Sequence, residues 1–296
     1  MIQPPPNRIE VLGLEKQNVM LGKEKECRFS KTPLNMQERT FEQAPYGRPM
    51  ATEKLWMDSI EACYRTNFKA TVSSIKEKEL VLDRTLFYPL GGGQNWDLGT
   101  LTWDGGESEI IEVRGRDEIT HLLENTKNLQ KGSEVNGNID WQRRHAHMRM
   151  HTAQHLVSGL VYEMFHGTRT VGNQIHHDRS RIDFNPIRFE DEMLQRVVSQ
   201  VNQTIDSSLD VECCVMTRKE INKLMPPERT NMDLLPASVN ELRVVKIGDG
   251  LDLCPCAGTH VRNLSEIGHI RILGKKSKGK GTHRISYTLD GLGDEL

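Results

Sequence analysis

Residues 148–160 read Met148-Arg-Met-His151-Thr-Ala-Gln-His155-Leu-Val-Ser-Gly-Leu160, and they mark where the chain changes texture. Apolar residues at Met148, Leu156, Leu160, Val161 and Met164 recur on roughly one helical face, predicting a helix over 144–165 that Gly167 ends. N-terminal to it the pattern is short β-like runs at 68–75, 80–82, 99–103, 110–114 and 135–141. Between them lie turn signals at Gly91-Gly92-Gly93, Asp104-Gly105-Gly106 and Asn136-Gly137-Asn138. Such close spacing predicts a small antiparallel β-barrel. C-terminal to it a second helix is predicted over 190–205, and Thr217-Arg-Lys-Glu220 reads as a capping box opening a short helix that Pro226-Pro227 stops. Strand-like runs at 181–184, 211–216, 242–247, 267–273 and 284–289 complete an α+β second half. The expected organisation is an N-terminal extension of weak order over 1–49, a β-rich barrel-like domain with a Gly-rich loop over 50–140, and an α+β domain over 141–296. Met50 would itself serve as a chain start.

A chain of 296 residues can bury a core without disulfide staples. No stretch is long and apolar enough for a membrane helix, and the first residues lack a signal-peptide pattern, so a cytoplasmic protein is expected. Six cysteines then read as reduced thiols. Cys213 and Cys214 fall in an apolar run and read as strand residues. The formal net charge of -2 gives no global attraction to nucleic acid, so any such contact must come from local patches.

His151 and His155 stand one helical turn apart and can reach a single ion. Thr152 occupies the position where a zinc protease of the His-Glu-x-x-His type needs its glutamate, so that class is excluded. About a hundred residues later, Cys254-Pro-Cys256-Ala-Gly-Thr-His260 offers a thiolate and an imidazole in a Gly-containing loop. His151, His155, Cys256 and His260 form a natural tetrahedral set for one Zn2+ per chain, with Cys254 as the competing thiol.

These residues, with Phe87-Tyr-Pro-Leu-Gly-Gly-Gly-Gln94-Asn-Trp-Asp-Leu-Gly99, Cys256-Ala-Gly-Thr-His260-Val261 and Val171-Gly-Asn-Gln174-Ile-His-His-Asp-Arg-Ser-Arg181-Ile-Asp-Phe184, carry a resemblance. The chain is similar to the AlaX family of freestanding alanyl-tRNA editing proteins and to the editing domain of alanyl-tRNA synthetase. The match runs in order from Met50 to Leu296; Ala257 stands where the family usually has glycine. The resemblance implies a zinc-binding editing domain that deacylates tRNA(Ala) mischarged with serine, and also with glycine, without ATP. A synthetic pocket sized for alanine excludes glycine weakly and rejects an added hydroxyl poorly, which is why a second, hydrolytic sieve is needed. It further implies that Gly92 and Gln94 border the catalytic cleft, that Gln174 orients substrate, and that Thr152 or Thr259 meets the seryl hydroxyl. The rival readings are a noncatalytic, zinc-stabilised tRNA-binding module and an editor of another mischarged tRNA.

Two basic clusters suit RNA phosphates: Arg143, Arg144, His145, His147 and Arg149 ahead of the ligand helix, and Lys275, Lys276, Lys278, Lys280 and Arg284 in a glycine-punctuated hairpin. The sequence leaves oligomeric state open.

Overall fold

The structure is a computed structural model that describes residues 51–230, 232 and 239–292; the extension expected over 1–49 lies outside the described residues. Eight strands come first: β1 (Glu53–Lys54), β2 (Asn67–Lys76), β3 (Glu79–Leu82), β4 (Arg84–Thr85), β5 (Gly99–Trp103), β6 (Gly106–Arg114), β7 (Thr120–Leu123) and β8 (Glu134–Ile139). Six of them close into a barrel in the order β2-β3-β7-β6-β5-β8, and β1 pairs parallel with β4 beside it. Closure pairs every edge of the sheet, so no strand is left as a template for another chain. Strand alternation puts Phe68, Ala70 and Val72 of β2 inward, against Leu80, Leu101, Val113 and Val135.

The expected barrel is thus present, with two differences. Asn136-Gly137-Asn138 is not a turn but the middle of β8, pairing with both β2 and β5. Glycine is needed at Gly137 because the Phe68 ring packs there; an added Cβ would lie 2.1 Å from its Cε1. The other difference is β7, which has no sequence run of its own because a histidine interrupts it. His121 is wholly buried, bonded to Thr85 Oγ1 at 3.0 Å and the Leu80 carbonyl at 3.3 Å.

Asp140 ends the barrel and caps the next element, its side chain accepting from the Arg143 amide, so α1 (Trp141–Met164) starts ahead of its apolar stripe. The remaining elements are β9 (Arg169–Ile175), β10 (Ser180–Asn185), α2 (Asp191–Asp206), β11 (Val211–Thr217), α3 (Arg218–Leu224), α4 (Pro227–Thr230), β12 (Glu241–Ile247), β13 (Asp252–Pro255), β14 (Ile270–Gly279) and β15 (Thr282–Leu289). The Thr217–Glu220 capping box forms as read. β9 and β13 carry no sequence run, being short and interrupted by polar residues such as Asn173 and Asp252 that line the cavity.

Two sheets result: β14-β15-β10-β9 and β11-β12-β13. α1 and α2 pack on one face of the four-stranded sheet, burying Ile182, Phe184, Ile285 and Tyr287 against Met150, Val157, Val197 and Val201. α1 is therefore central, and its polar residues Arg144, His147, His151, Thr152 and His155 are buried along with its apolar ones. This burial removes Arg144 and His147 from the basic cluster expected to meet RNA phosphates: both side chains are 0% exposed, and Arg144 is already paired with Asp97.

What joins the barrel to α1 is a buried ion pair, Arg144 with Asp97, both side chains 0% exposed. The guanidinium also donates to the Cys63 carbonyl at 3.0 Å and the Leu86 carbonyl at 2.5 Å, while Asp97 accepts from the Tyr88 amide at 2.6 Å. Such satisfaction of both charges is what makes a buried pair tolerable. It fixes the 86–97 loop, which carries the three glycines and Gln94, against the helix bearing His151.

Candidate metal centre

His151 and His155 project from the middle of α1, and β13 leads directly into the loop bearing Cys256 and His260. Their ligand atoms all lie within 4.8 Å of one another, a set that can hold a metal ion. Cys256 Sγ is 3.5 Å from His151 Nε2 and 3.3 Å from His260 Nε2. Cys254 stays outside the set: its thiol lies 3.7 Å from the Pro255 carbonyl, and burial pushes its pKa well up.

The orientation of the rings fits a cation. His151 Nδ1 lies 2.7 Å from Gln94 Oε1, His155 Nδ1 2.9 Å from Asp252 Oδ2, and His260 Nδ1 3.2 Å from Thr152 Oγ1. The amide oxygen and the carboxylate only accept. The Thr152 hydroxyl gives its proton to the Met148 carbonyl at 2.9 Å, so its oxygen is left to accept from His260 and from the Val261 amide. All three imidazoles are thereby held with a proton on Nδ1 and with Nε2 turned to the centre, the orientation metal-ligating histidines adopt. Gln94 is itself fixed, its Nε2 donating to Thr259 Oγ1 at 3.0 Å.

Electrostatics agree. Burial alone would raise the Cys256 thiol, but the facing His151 and His260 imidazoles outweigh it and hold the thiol well below its usual range. Burial opposes charging His155, yet Asp252 and Cys256 overcome it and push that imidazole up to about 10. His260 is pushed well down, by burial first and then by His151. Thiolate beside imidazolium is a charge arrangement that a divalent cation replaces with release of a proton.

A cavity of about 570 Å³ opens beside the centre, walled by the barrel side through Trp56, Tyr88, Gly91 and Gly92 and by His151, Gln154, His155, Asn173, Arg229 and Cys256 on the other. Gly92 and Gly93 hold positive φ of 58° and 87°, backbone that favours glycine. Of the residues singled out in the sequence, Gly92 lines the cavity; Gln94 and Thr152 do not. Both are 0% exposed and act on the imidazoles instead, so any contact with a bound molecule passes through His151 or His260. Gln174 is also absent from the cavity wall. On β9 it pairs with Arg181 of β10, and alternation turns it to the sheet face opposite Asn173, which pairs with the inward Ile182 and does reach the cavity.

Sequence reading missed four contributors. Asp252 holds His155 and is steadied by Arg229 Nη2 at 3.6 Å. Arg243 donates to the carbonyls of Cys256 at 2.7 Å and Gly258 at 3.2 Å, clamping the ligand loop. Trp56 Nε1 bonds the Ala257 carbonyl at 2.9 Å. Asn173 is the fourth. Two had a signal: Asp252, a lone carboxylate between Leu251 and Leu253 just ahead of the cysteines, and Asn173, which lies inside the Val171–Phe184 stretch.

A closed six-stranded barrel locked to an α+β unit, with three imidazoles and one thiolate at their junction, defines a two-part protein with a buried metal-type centre beside an open cavity. Comparison with known proteins places it. Residues 242–286 match the threonyl and alanyl tRNA synthetase second additional domain, and residues 16–143 match class II (A) tRNA synthetases, a match that begins within the stretch read as an extension. The chain is 37% identical over 234 residues to the alanyl-tRNA editing protein AlaX-M of Methanosarcina barkeri, covering 77% of this chain and 96% of that protein. It is 35% identical over 223 residues to AlaX-L of Pyrococcus horikoshii, covering 72% and 52% respectively. With the alanine–tRNA ligase of Methanothrix thermoacetophila it shares 36% over 222 residues, 74% of this chain but 24% of the ligase. The chain belongs to the AlaX family of alanyl-tRNA editing proteins. No described helix is long and apolar enough to cross a membrane.

Proposed function

We propose that the protein is a trans-editing hydrolase that cleaves the ester joining serine, and also glycine, to tRNA(Ala). The barrel-like domain of 50–140 and the editing domain of 141–296 supply opposite walls of one cleft. The observation that carries this reading is the junction itself: a set of His151, His155, Cys256 and His260 opening on a cavity large enough for an aminoacylated terminal nucleotide.

Those four residues would hold Zn2+, whose chemistry there is that of a Lewis acid toward the ester carbonyl or the amino group of the bound aminoacyl end. The remaining work falls to the chain. Gln94, Asp252 and Thr152 keep the imidazole protons on Nδ1. Gly92, without a side chain, lets backbone approach the substrate. Asn173 offers an amide donor and acceptor at the place the sequence reading gave to Gln174. Tyr88 and Trp56 close the barrel side of the cleft and limit water. The substrates are the single-stranded aminoacyl end of tRNA(Ala) and a water molecule, with no ATP.

If all four donors bound at once, no protein-free position would remain for substrate, as in structural zinc sites, and this favours the noncatalytic tRNA-binding module as the second reading. Deacylation of Ser-, Gly- and Ala-tRNA(Ala) by wild-type and Cys256→Ala protein separates them. Hydrolysis of the seryl and glycyl esters but not the alanyl ester, lost with Cys256, is expected. Equal rates on all three, or full activity without the thiol, refute the proposal.

A further inference from the structure

The face of β14-β15-β10-β9 turned away from α1 and α2 has no layer packed on it among the described helices and strands. Alternation decides what it carries. Along β10, Ser180, Ile182 and Phe184 point inward and are buried, so Arg181 and Asp183 point out. Across from Asp183 stands Arg284 of β15, and across from Arg284 stands Lys276 of β14. Gln174 of β9 faces out beside Arg181.

The structure sorts the basic residues of this region by whether they already have a partner. Lys275 turns under the sheet to the Phe189 carbonyl at 3.0 Å and Asp191 at 2.8 Å. Arg284 is held by Asp183 through two bonds of 2.6 and 2.7 Å, which neutralises that acid. Arg181, Lys276 and Lys278 are exposed, and no ion pair holds them among the described residues. Arg181 and Lys278 lie close enough to help Arg284 hold the Asp183 carboxyl below the usual range. A chain of net charge -2 thus gathers uncompensated positive charge on one face of the sheet.

We infer that this outer face seats the duplex part of the RNA substrate, with backbone phosphates on Arg181, Lys276 and Lys278. The inference rests on the proposed function. Three observations favour paired RNA over a single strand. The aromatic rings of these strands, Phe184 and Tyr287, are both fully buried, so the face offers no platform for stacking bases. Long lysines and arginines beside the polar Gln174 and Ser286 suit phosphates and 2′-hydroxyls, which is how A-form RNA is read. The ten residues of β14 span about 33 Å, enough to follow a duplex across a groove. Continuity with the cleft is direct: β9 is the edge strand and turns Asn173 toward the cavity while its neighbour Gln174 faces out. An acceptor stem on the outer face needs only its unpaired end to pass around that edge.

The test uses the full chain and the triple variant Arg181→Gln, Lys276→Gln, Lys278→Gln, all exposed positions. Binding of uncharged tRNA(Ala) is measured by anisotropy from 50 to 300 mM salt. The variant is expected to bind about tenfold or more weakly, with the slope of log K against log salt shallower by about 3, near 0.9 for each phosphate no longer neutralised. A duplex RNA competitor should displace tRNA from wild type, and a CCA-ended single strand should not. In parallel, kcat/KM is compared on Ser-tRNA(Ala) and on a seryl ester of a CCA trinucleotide, and the variant should lose at least tenfold more on the former. Unchanged affinity and slope, or equal losses on both esters, overturn this surface. Failure of wild type to cleave either ester sinks the hydrolytic reading instead, while the binding arm still decides where RNA lies.

Discussion

Replacing Gln94 by leucine isolates the link between barrel and metal centre. Gln94 Oε1 is the acceptor 2.7 Å from His151 Nδ1, and both residues are buried, at 0% and 2% exposure. Leucine fills similar space but leaves that N–H with no acceptor and no access to water, costing about 1 to 3 kcal/mol. The ring also loses its preference for the Nδ1–H tautomer, and outer partners of metal-bound imidazoles are worth about 10- to 100-fold in affinity, the same range of energy. Gln94→Leu is therefore expected to weaken Zn2+ binding about 10- to 100-fold in competition with a chromophoric chelator at pH 7. Gln94→Glu keeps an acceptor at the same atom and should hold within a few fold of wild type. A leucine variant that is folded, by circular dichroism, and binds zinc within threefold of wild type would refute the reasoning that Gln94 sets this tautomer.

Asp97→Asn leaves the Arg144 guanidinium buried without its counter-charge and should lower unfolding free energy by about 3 to 5 kcal/mol, read by urea denaturation; zinc affinity should fall with it, because the pair fixes the loop carrying Gln94. Burial lowers His121 to about 4 from an ordinary 6.5. As pH falls through 6.5 the unfolded chain takes up a proton that the folded imidazole refuses, so stability declines between pH 6.5 and 4, by about 3 kcal/mol in all, and levels off below. His121→Gln should flatten that part of the unfolding-against-pH curve. Gly258→Ala should lower zinc affinity at least tenfold, since a Cβ would sit 2.1 Å from His151 Cε1 and drive the ring off the centre; an unchanged cobalt absorption spectrum would count against it. Prolonged dialysis against a strong chelator should abolish deacylation of Ser-tRNA(Ala), and Zn2+ should restore it.

Local features were legible where a single element determines them. Five of the six barrel strands, the second helix and the Thr217 capping box follow from alternation, helical spacing and hydroxyl chemistry within a few residues. The four metal-type ligands were legible for a related reason: imidazoles four apart on a helix and a thiol four before another imidazole need only two local half-sites. β7, β9 and β13 were not legible, since their polar residues are satisfied by distant partners that no local pattern reveals.

The amino-acid order by itself determined that a β-rich unit precedes an α+β one, which donors are available, and that the chain resembles alanyl-tRNA editing proteins. Tertiary structure alone decided the roles. It buried Arg144 with Asp97, put Gln94 and Thr152 behind the imidazoles, turned Asn173 rather than Gln174 to the cavity, and separated bonded lysines from unbonded ones. The physical reason is range. Periodicity and turn chemistry act over a few residues, whereas Gln94 meets His151, and Asp252 meets His155, only after the barrel and α1 have packed together.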